Sequence, residues 1–338
     1  MKNALRGAEL RETIVAGRGF SAWDDGLGPY RALSSTQLLE ALKSWSPVVR
    51  QRAARILAEH ETLPLGELID KLDALDYESR YGACQAIAAL AVRGLPAADH
   101  LRDLLWSKDV WLRIQAAEAL TSIGAPAENV VPDFLKMISE DNESDPRKVV
   151  QRYLAFCLFC RNGILGMEGV LAHSLQGVEL GELRPAVERI LKNPDARARA
   201  TVGSLYDQLN YEEVKPFLPS VYEAIVEPAP TGVMFSNGIR LEGLELLARH
   251  RVEDGMSLCL DILDLESWGK RHRVMRCLRT LRRYGGAAKP ILPRLRQVEN
   301  QLREHRESRS LAPHIEEIVS LISFIEQAPS GEPLRSLR

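Results

Sequence analysis

Apolar positions along this chain recur at helical spacing and almost nowhere alternate as a half-buried strand would require. Leu38, Leu39 and Leu42 fall on one helical face, as do Leu65, Leu68, Ile69 and Leu72, then Leu101, Leu104 and Leu105, then Phe134, Leu135 and Ile138. The first of these runs opens with Ser34-x-x-Gln37, a capping box that satisfies two orphan backbone donors. Val131-Pro132, Leu218-Pro219 and Leu292-Pro293 put proline near the start of similar segments, where a first helical turn tolerates it. Gly94, Gly124 and Gly285 end other helices, each followed within a few residues by Pro96, Pro126 or Pro290. The pattern predicts pairs of helices along the chain.

A second, stricter register sits on the partner helices. A capping residue is followed by Arg four positions later, by a small residue or Val three after that, and by a further residue four on. The windows are Ser46, Arg50, Ala53, Leu57; Asp76, Arg80, Ala83, Ile87; and Asp109, Arg113, Ala116, Leu120. They continue as Glu143, Arg147, Val150, Leu154; Asn193, Arg197, Ala200, Ser204; and Ser236, Arg240, Gly243, Leu247. Ser, Asp or Asn at the cap accepts an orphan N–H, and Asp145 is a better cap than Glu143. The later offsets put small and aliphatic residues on one face, where a neighbouring helix can approach closely.

The Arg-to-Arg steps are 30, 33, 34, 50 and 43 residues, so the two long ones must contain insertions, at 161–179 and 227–237. A seventh unit, 252–284, loses the register, with Gly269 where the cap should be. An eighth spans 287–327. Residues 1–33 are expected to be a capping or linker segment and 328–338 a frayed tail.

The Asp109-Val-Trp-Leu-Arg113-Ile-Gln-Ala-Ala-Glu-Ala-Leu120 stretch, with Ile123-Gly124 after it, resembles the second helix of a HEAT repeat. The Val131-Pro132 helix resembles the first helix of the next. The likeness runs over roughly 34–327 and implies an all-α fold, a right-handed α-solenoid (superhelix) of about seven to eight two-helix repeats. In HEAT arrays the second helices line a concave face that usually binds protein or nucleic acid. AELRETIVAGRG, VEPAPTGVMFSNGIR and LRRYGGAAKPILP also look like the C-terminal part of a bacterial family in which HEAT-like repeats follow a PDZ-like module. That likeness would make the chain one piece of a larger scaffold.

Composition narrows the classes. With 338 residues, 45% apolar and 27% charged, the chain is neither a disordered tail nor a disulfide-dense mini-scaffold. Its net charge of −2 hides an asymmetry, because residues 270–309 carry thirteen Lys/Arg against three Glu. On the helix from Lys270 to Tyr284, Val274, Cys277, Leu278 and Leu281 form the apolar stripe, opposite His272, Arg276, Arg279 and Arg283. Arg271, Arg276, Arg279, Arg282 and Arg283 are therefore candidate phosphate contacts, and a nucleic-acid-binding solenoid is the alternative reading. A solvated basic face explains the same residues. Only Tyr284 among nearby residues supplies an aromatic.

Reactive chemistry is sparse. Cys157-x-x-Cys160 lies in an apolar helix with no second pair and no preceding strand, so it reads as core, as do Cys84, Cys259 and Cys277. His60-Glu61 is the single His-Glu pair, whereas di-iron hydroxylases built on HEAT-like repeats use several. Asp141 to Asp145 begins like a calcium loop, but Pro146 stands in place of the required Gly. Gly163, Gly166 and Gly169 follow no strand, and no phosphate loop, GxSxG elbow or HExxH is present. No metal or cofactor is expected. A non-catalytic scaffold is expected, with an unrecognised enzyme whose pocket is framed by the two insertions as a further alternative.

A protein or peptide is the expected partner. The 227–240 loop is shaped by Pro228, Pro230 and Gly232 and offers Met234, Phe235, Ser236 and Asn237 as contacts; Met234 and Phe235 would serve equally to plug the gap between helices. Trp111 is a candidate binding aromatic, whereas Arg113 recurs in the register and reads as structural. The N-terminus lacks the apolar core of a signal peptide, and no stretch approaches the ~18 apolar residues of a membrane span. A cytoplasmic location is expected. The opening stretch carries Phe20, Trp23 and Tyr30 among glycines and reads as the start of a piece cut from a longer protein.

Overall fold

Ser34 accepts a hydrogen bond from the Gln37 amide, the Gln37 side chain accepts one from the Ser34 amide, and the first full helix starts there. A computed structural model describes residues 26–60, 64–140, 145–161, 168–267, 269–329 and 331–337. Phe20, Trp23, Glu61, Asp141 to Ser144, Gly163 and Gly166 therefore lie outside the described residues. The chain divides into two compact units, 1–178 and 179–338.

Unit 1 holds a one-turn helix α1 (Gly28–Arg31) and four pairs. These are α2 (Ser35–Ala41) with α3 (Pro47–Glu59), α4 (Leu65–Leu72) with α5 (Tyr77–Ala89), α6 (Ala98–Leu104) with α7 (Val110–Ser122), and α8 (Ala127–Ser139) with α9 (Val149–Phe159). Unit 2 begins with α10 (Leu180–Leu191) against α11 (Ala196–Thr201), which continues through Val202 into α12 (Gly203–Tyr206). Next, α13 (Tyr211–Val214) leads through a tight turn into α14 (Leu218–Val226), which packs on α15 (Ser236–Arg249). The last pairs are α16 (Asp254–Asp261) with α17 (Lys270–Arg282) and α18 (Leu292–Glu304) with α19 (Ala312–Gln327). Second helices stack in chain order, α3–α5–α7–α9 in unit 1 and α11–α15–α17–α19 in unit 2. The fold is an all-α solenoid of helix pairs.

The register works as helix packing demands. Ala53, Ala83 and Ala116 are completely buried. At Gly243 a Cβ would come within 2.8 Å of the Ile225 side chain, so α14 and α15 touch there almost backbone to side chain. Asp76 caps α5 through the Ser79 amide at 2.8 Å, and Asp109 caps α7 through Trp111 and Leu112 at 2.8 and 3.1 Å. Asp145 takes the role open to it, accepting from the Val149 and Val150 amides at 2.8 Å each. Ser46 occupies the cap position with no side-chain bond.

Besides the fourth, whose Arg147 stands in the turn before α9, three windows differ from the expected register. In the fifth, Thr231 donates to the Pro194 carbonyl and accepts from the Ala196 amide, both at 3.0 Å, which holds Pro194 and Asp195 extended. The helix starts two residues late, and the true window is Asp195, Arg199, Val202, Tyr206. Asn193 is buried in the turn, and Arg197 pairs with Asp195 at 2.6 Å. In the sixth, a tight turn over Val233–Phe235 runs straight into α15, so Ser236 is a helical residue with a buried, unbonded hydroxyl. In the seventh, Gly269 sits at φ +78° in the left-handed region, and the cap is lost but the arginine is not. That arginine is Arg273.

In five windows the recurrent arginine has a physical task, whereas in the second Arg80 Nε is buried without a partner among the described residues. The Arg50 guanidinium donates to the Ser44 carbonyl at 2.6 Å, Arg113 to Leu105 at 2.7 Å, Arg199 to Asn193 at 2.7 Å, Arg240 to Ile225 at 3.2 Å and Arg273 to Asp264 at 2.6 Å. Each acceptor lies at or just past the C-terminal end of the first helix of the same pair, where carbonyls lack intrahelical partners. The same side chains reach a neighbouring pair as well. Arg50 donates to Gln85, Arg113 to Glu140 and Arg199 to the Glu227 carbonyl. Burial pulls the guanidinium pKa of Arg50, Arg199 and Arg240 down, and the Arg273 charge adds to the effect at Arg240. Such desolvated cations persist only when hydrogen-bonded. Arg147 is exposed in the turn before α9 and makes no such clamp.

Residues 331–337, for which no element is predicted, run back along unit 2. The Arg335 amide donates to the Arg251 carbonyl at 2.9 Å, and the Arg335 carbonyl accepts from Glu253 at 3.0 Å. Its guanidinium lies 3.8 Å from the centre of the Tyr211 ring. Gly286 admits the tail, since a Cβ there would fall 1.9 Å from the Pro329 carbonyl oxygen.

Replacing Arg113 by Met keeps much of the buried stem and removes the clamp on Leu105. We expect a loss of about 2 kcal/mol in urea unfolding, against less than about 0.5 kcal/mol for Arg147→Met.

Candidate functional site

Helix α17 carries its basic residues on two kinds of face. Arg273 points into the fold and is 4% exposed, bonded to the Asp264 carbonyl and to Ser267 Oγ at 2.7 Å. Four of the five arginines singled out from the sequence, Arg271, Arg276, Arg279 and Arg283, converge on one cavity of about 610 Å³, which Glu245 of α15 and His314 of α19 also line. The fifth, Arg282, turns away and pairs with Glu317 at 3.1 Å, with its guanidinium 5.1 Å from the Phe324 ring centre. Arg276 is already engaged, holding Glu245 Oε1 through Nε at 2.8 Å and Nη2 at 2.6 Å. His314 is buried and its Nε2 donates to the Arg271 carbonyl at 2.7 Å, while its Nδ1 has no partner.

The expected loop contacts lie elsewhere in unit 2. Met234 is 73% exposed and Phe235 half-buried, on the tight turn before α15. The loop beneath them is fastened by the Thr231 bonds to Pro194 and Ala196, with Gly232 at φ +70° passing against Asp195. Ser236 is buried, and Asn237 Oδ1 faces Arg273 Nη1 at 3.5 Å. Met234 is thus exposed at the surface, whereas Ser236 and Asn237 belong to the packing of α15 and α17.

Trp111 belongs to unit 1, where it is 49% exposed at the first turn of α7 with its ring edge-on to Tyr153 at 6.2 Å. Two exposed aromatics lie equally near the caps of the two preceding windows: Trp45, 73% exposed, just before α3, and Tyr77 at the start of α5. An aromatic within two residues of the cap in three successive windows was the available signal for this set.

The comparisons with known proteins reach the architecture and stop there. The X-ray structure of YibA from E. coli is similar over 92% of this chain and 99% of its own, with a TM-score of 0.61 at 14% identity. A chain of the complex in which Kap95p binds RanGDP is similar over 95% of this chain and 45% of its own, with a TM-score of 0.61 at 12% identity. The fold is shared with HEAT-like helical repeat proteins. No family model matches the chain, nor does any curated protein at a significant level, so the likeness to a bacterial family with PDZ-like modules has no match behind it.

Other titratable groups are held in unreactive states. All five cysteines are buried and free, and burial pushes the Cys84 thiol up to about 12 and Cys157 and Cys259 well above their ordinary values. Among the described residues no group of three or more His, Cys, Asp or Glu is placed to hold a metal ion. No helix among them is long and apolar enough to cross a membrane.

Glu118 on α7 is the exception, because burial raises its pKa to about 7 against a lowering hydrogen bond from Gln115 at 2.6 Å. An unfolded Glu118 ionises near 4.5, so between pH 4.5 and about 7 only the folded chain keeps the proton. Stability therefore falls as pH rises through that window, by at most roughly 3 kcal/mol, and is flat above it. Glu118→Gln should melt higher than wild type at pH 8 and close to it at pH 4, in thermal melts taken across that range.

Proposed function

We propose that the chain is a non-catalytic scaffold that binds a protein or peptide partner along its second helices. The observation that carries this reading is the cavity on α17, where arginines gather on a stacked second helix beside an unbonded histidine nitrogen. Long cationic side chains gathered round a recess suit recognition of an external group. A chain of the complex in which Kap95p binds RanGDP shares the fold, which is consistent with partner binding by this architecture. Trp111 with Trp45 and Tyr77 in unit 1, and Met234 with Phe235 in unit 2, are proposed as additional contacts, since exposed aromatic and Met side chains supply large apolar area to an interface.

Binding to nucleic acid is the second reading, favoured by the same arginines. Salt separates the two, because released counterions make phosphate binding fall steeply with ionic strength. In a pull-down from source-cell lysate, with and without nuclease and at low and high salt, we expect one protein retained through both treatments. Recovery that vanishes with nuclease would exchange the two readings.

A further inference from the structure

Three cations of the α17 cavity have no partner among the described residues. Among the described residues, no side-chain hydrogen bond or ion pair engages Arg271, Arg279 or Arg283, and all three are exposed. Arg276 and Arg282, on the same helix, show what satisfies such a group here: each holds a carboxylate from an adjacent second helix. The cavity is thus a row of carboxylate receptors left partly filled.

The shape of the row limits what can fill it. From Arg271 to Arg283 it runs for twelve residues, or about 18 Å of helix. It is one helix wide, with Glu245 of α15 on one flank and Glu317 of α19 on the other. Packed helices lie about 8–10 Å apart, so a duplex laid on α17 would bring phosphates against both carboxylates. An extended peptide is narrow enough to lie between them. It covers about 18 Å with five or six residues, and its alternate side chains, about 6.6 Å apart, face one way. Arg279 and Arg283 lie one turn apart, about 6 Å, and Arg271 lies two turns before Arg279, about 12 Å, so the spacings are close to one and two of those repeats.

His314 also lines the cavity, its Nε2 held on the Arg271 carbonyl at 2.7 Å, and its Nδ1 is buried without a partner among the described residues.

We propose that the α17 cavity binds an extended acidic stretch of the partner, five or six residues with Asp or Glu at alternate positions, seated on Arg271, Arg279 and Arg283. This inference rests on the scaffold reading and names the chemistry of its partner. The test is fluorescence anisotropy of the full chain with a labelled Glu-Ser alternating heptapeptide, its Gln-Ser counterpart and an eight-residue oligothymidylate. The acidic peptide should bind, and the neutral one should not. R279E/R283E should weaken binding by about tenfold or more, while K289E/R309E, equal in charge change but outside the cavity, should stay within about threefold. Circular dichroism melts check that both variants are folded. No binding of the acidic peptide, equal losses in the two variants, or tighter binding of the oligothymidylate would overturn the proposal. If R279E/R283E captures the same nuclease-resistant protein from lysate as wild type, this inference falls while the scaffold reading stands. If wild type captures none, the scaffold reading falls.

Discussion

A buried guanidinium reaching back to an unpaired carbonyl is the constraint on which the rest of this structure depends. Apolar stripes alone make helices adhere, but a stripe of Leu and Ala tolerates many crossing angles and registers. A desolvated arginine does not, because it is stable only where its donors meet acceptors of fixed position. Arg50, Arg113, Arg199, Arg240 and Arg273 each find that acceptor at the end of the preceding first helix, which sets how the two helices of a pair meet. Through Gln85, Glu140 and Glu227 three of them also tie one pair to another, so the geometry is passed along each stack.

Once a fold has assigned arginine this structural work, the remaining arginines become informative. On α17 the two populations lie within one turn of each other. Arg273 is sealed inside, Arg276 is neutralised by a neighbouring carboxylate, and Arg279 projects unpaired into the cavity. The cap also differs: where α5, α7 and α11 begin with an aspartate, α17 begins with Gly269 followed by Lys270 and Arg271, cations at the positive end of a helix dipole. Local consistency has been given up at this helix, which is what the proposed binding role would require.

Helix pairs, their order and the small-residue faces were legible in the sequence because they follow from periodicity, which is a local property. Asp76, Asp109 and Asp145 could be read as caps for the same reason. The fifth window was misread by two residues because Thr231, thirty-six positions away from Asp195, holds the chain extended before α11, and no local pattern encodes that bridge. Arg273 was missed because the search began from the cap, and Gly269 cannot act as one through a side chain. The cavity was half legible: helical spacing put Arg276, Arg279 and Arg283 on one face, but the separation of Arg282 depends on Glu317 and Ser320, contributed by a helix thirty-five residues on. His314 carried no sequence signal, since its meaning lies in a bond to the Arg271 backbone.

The returning tail changes how the end of unit 2 can come apart. In an open stack of repeats the terminal pair has a neighbour on one side only, and it can peel away without disturbing the rest. Here Arg335 is hydrogen-bonded to residues 250–253, closing a loop of more than eighty residues that contains α16 to α19. Those helices cannot open one after another while the bridge holds, so their opening is gathered into one larger cooperative step with its own closure entropy. A short strand-like contact, with glycine making room for it at residue 286, therefore makes the end of a one-dimensional array behave as a ring.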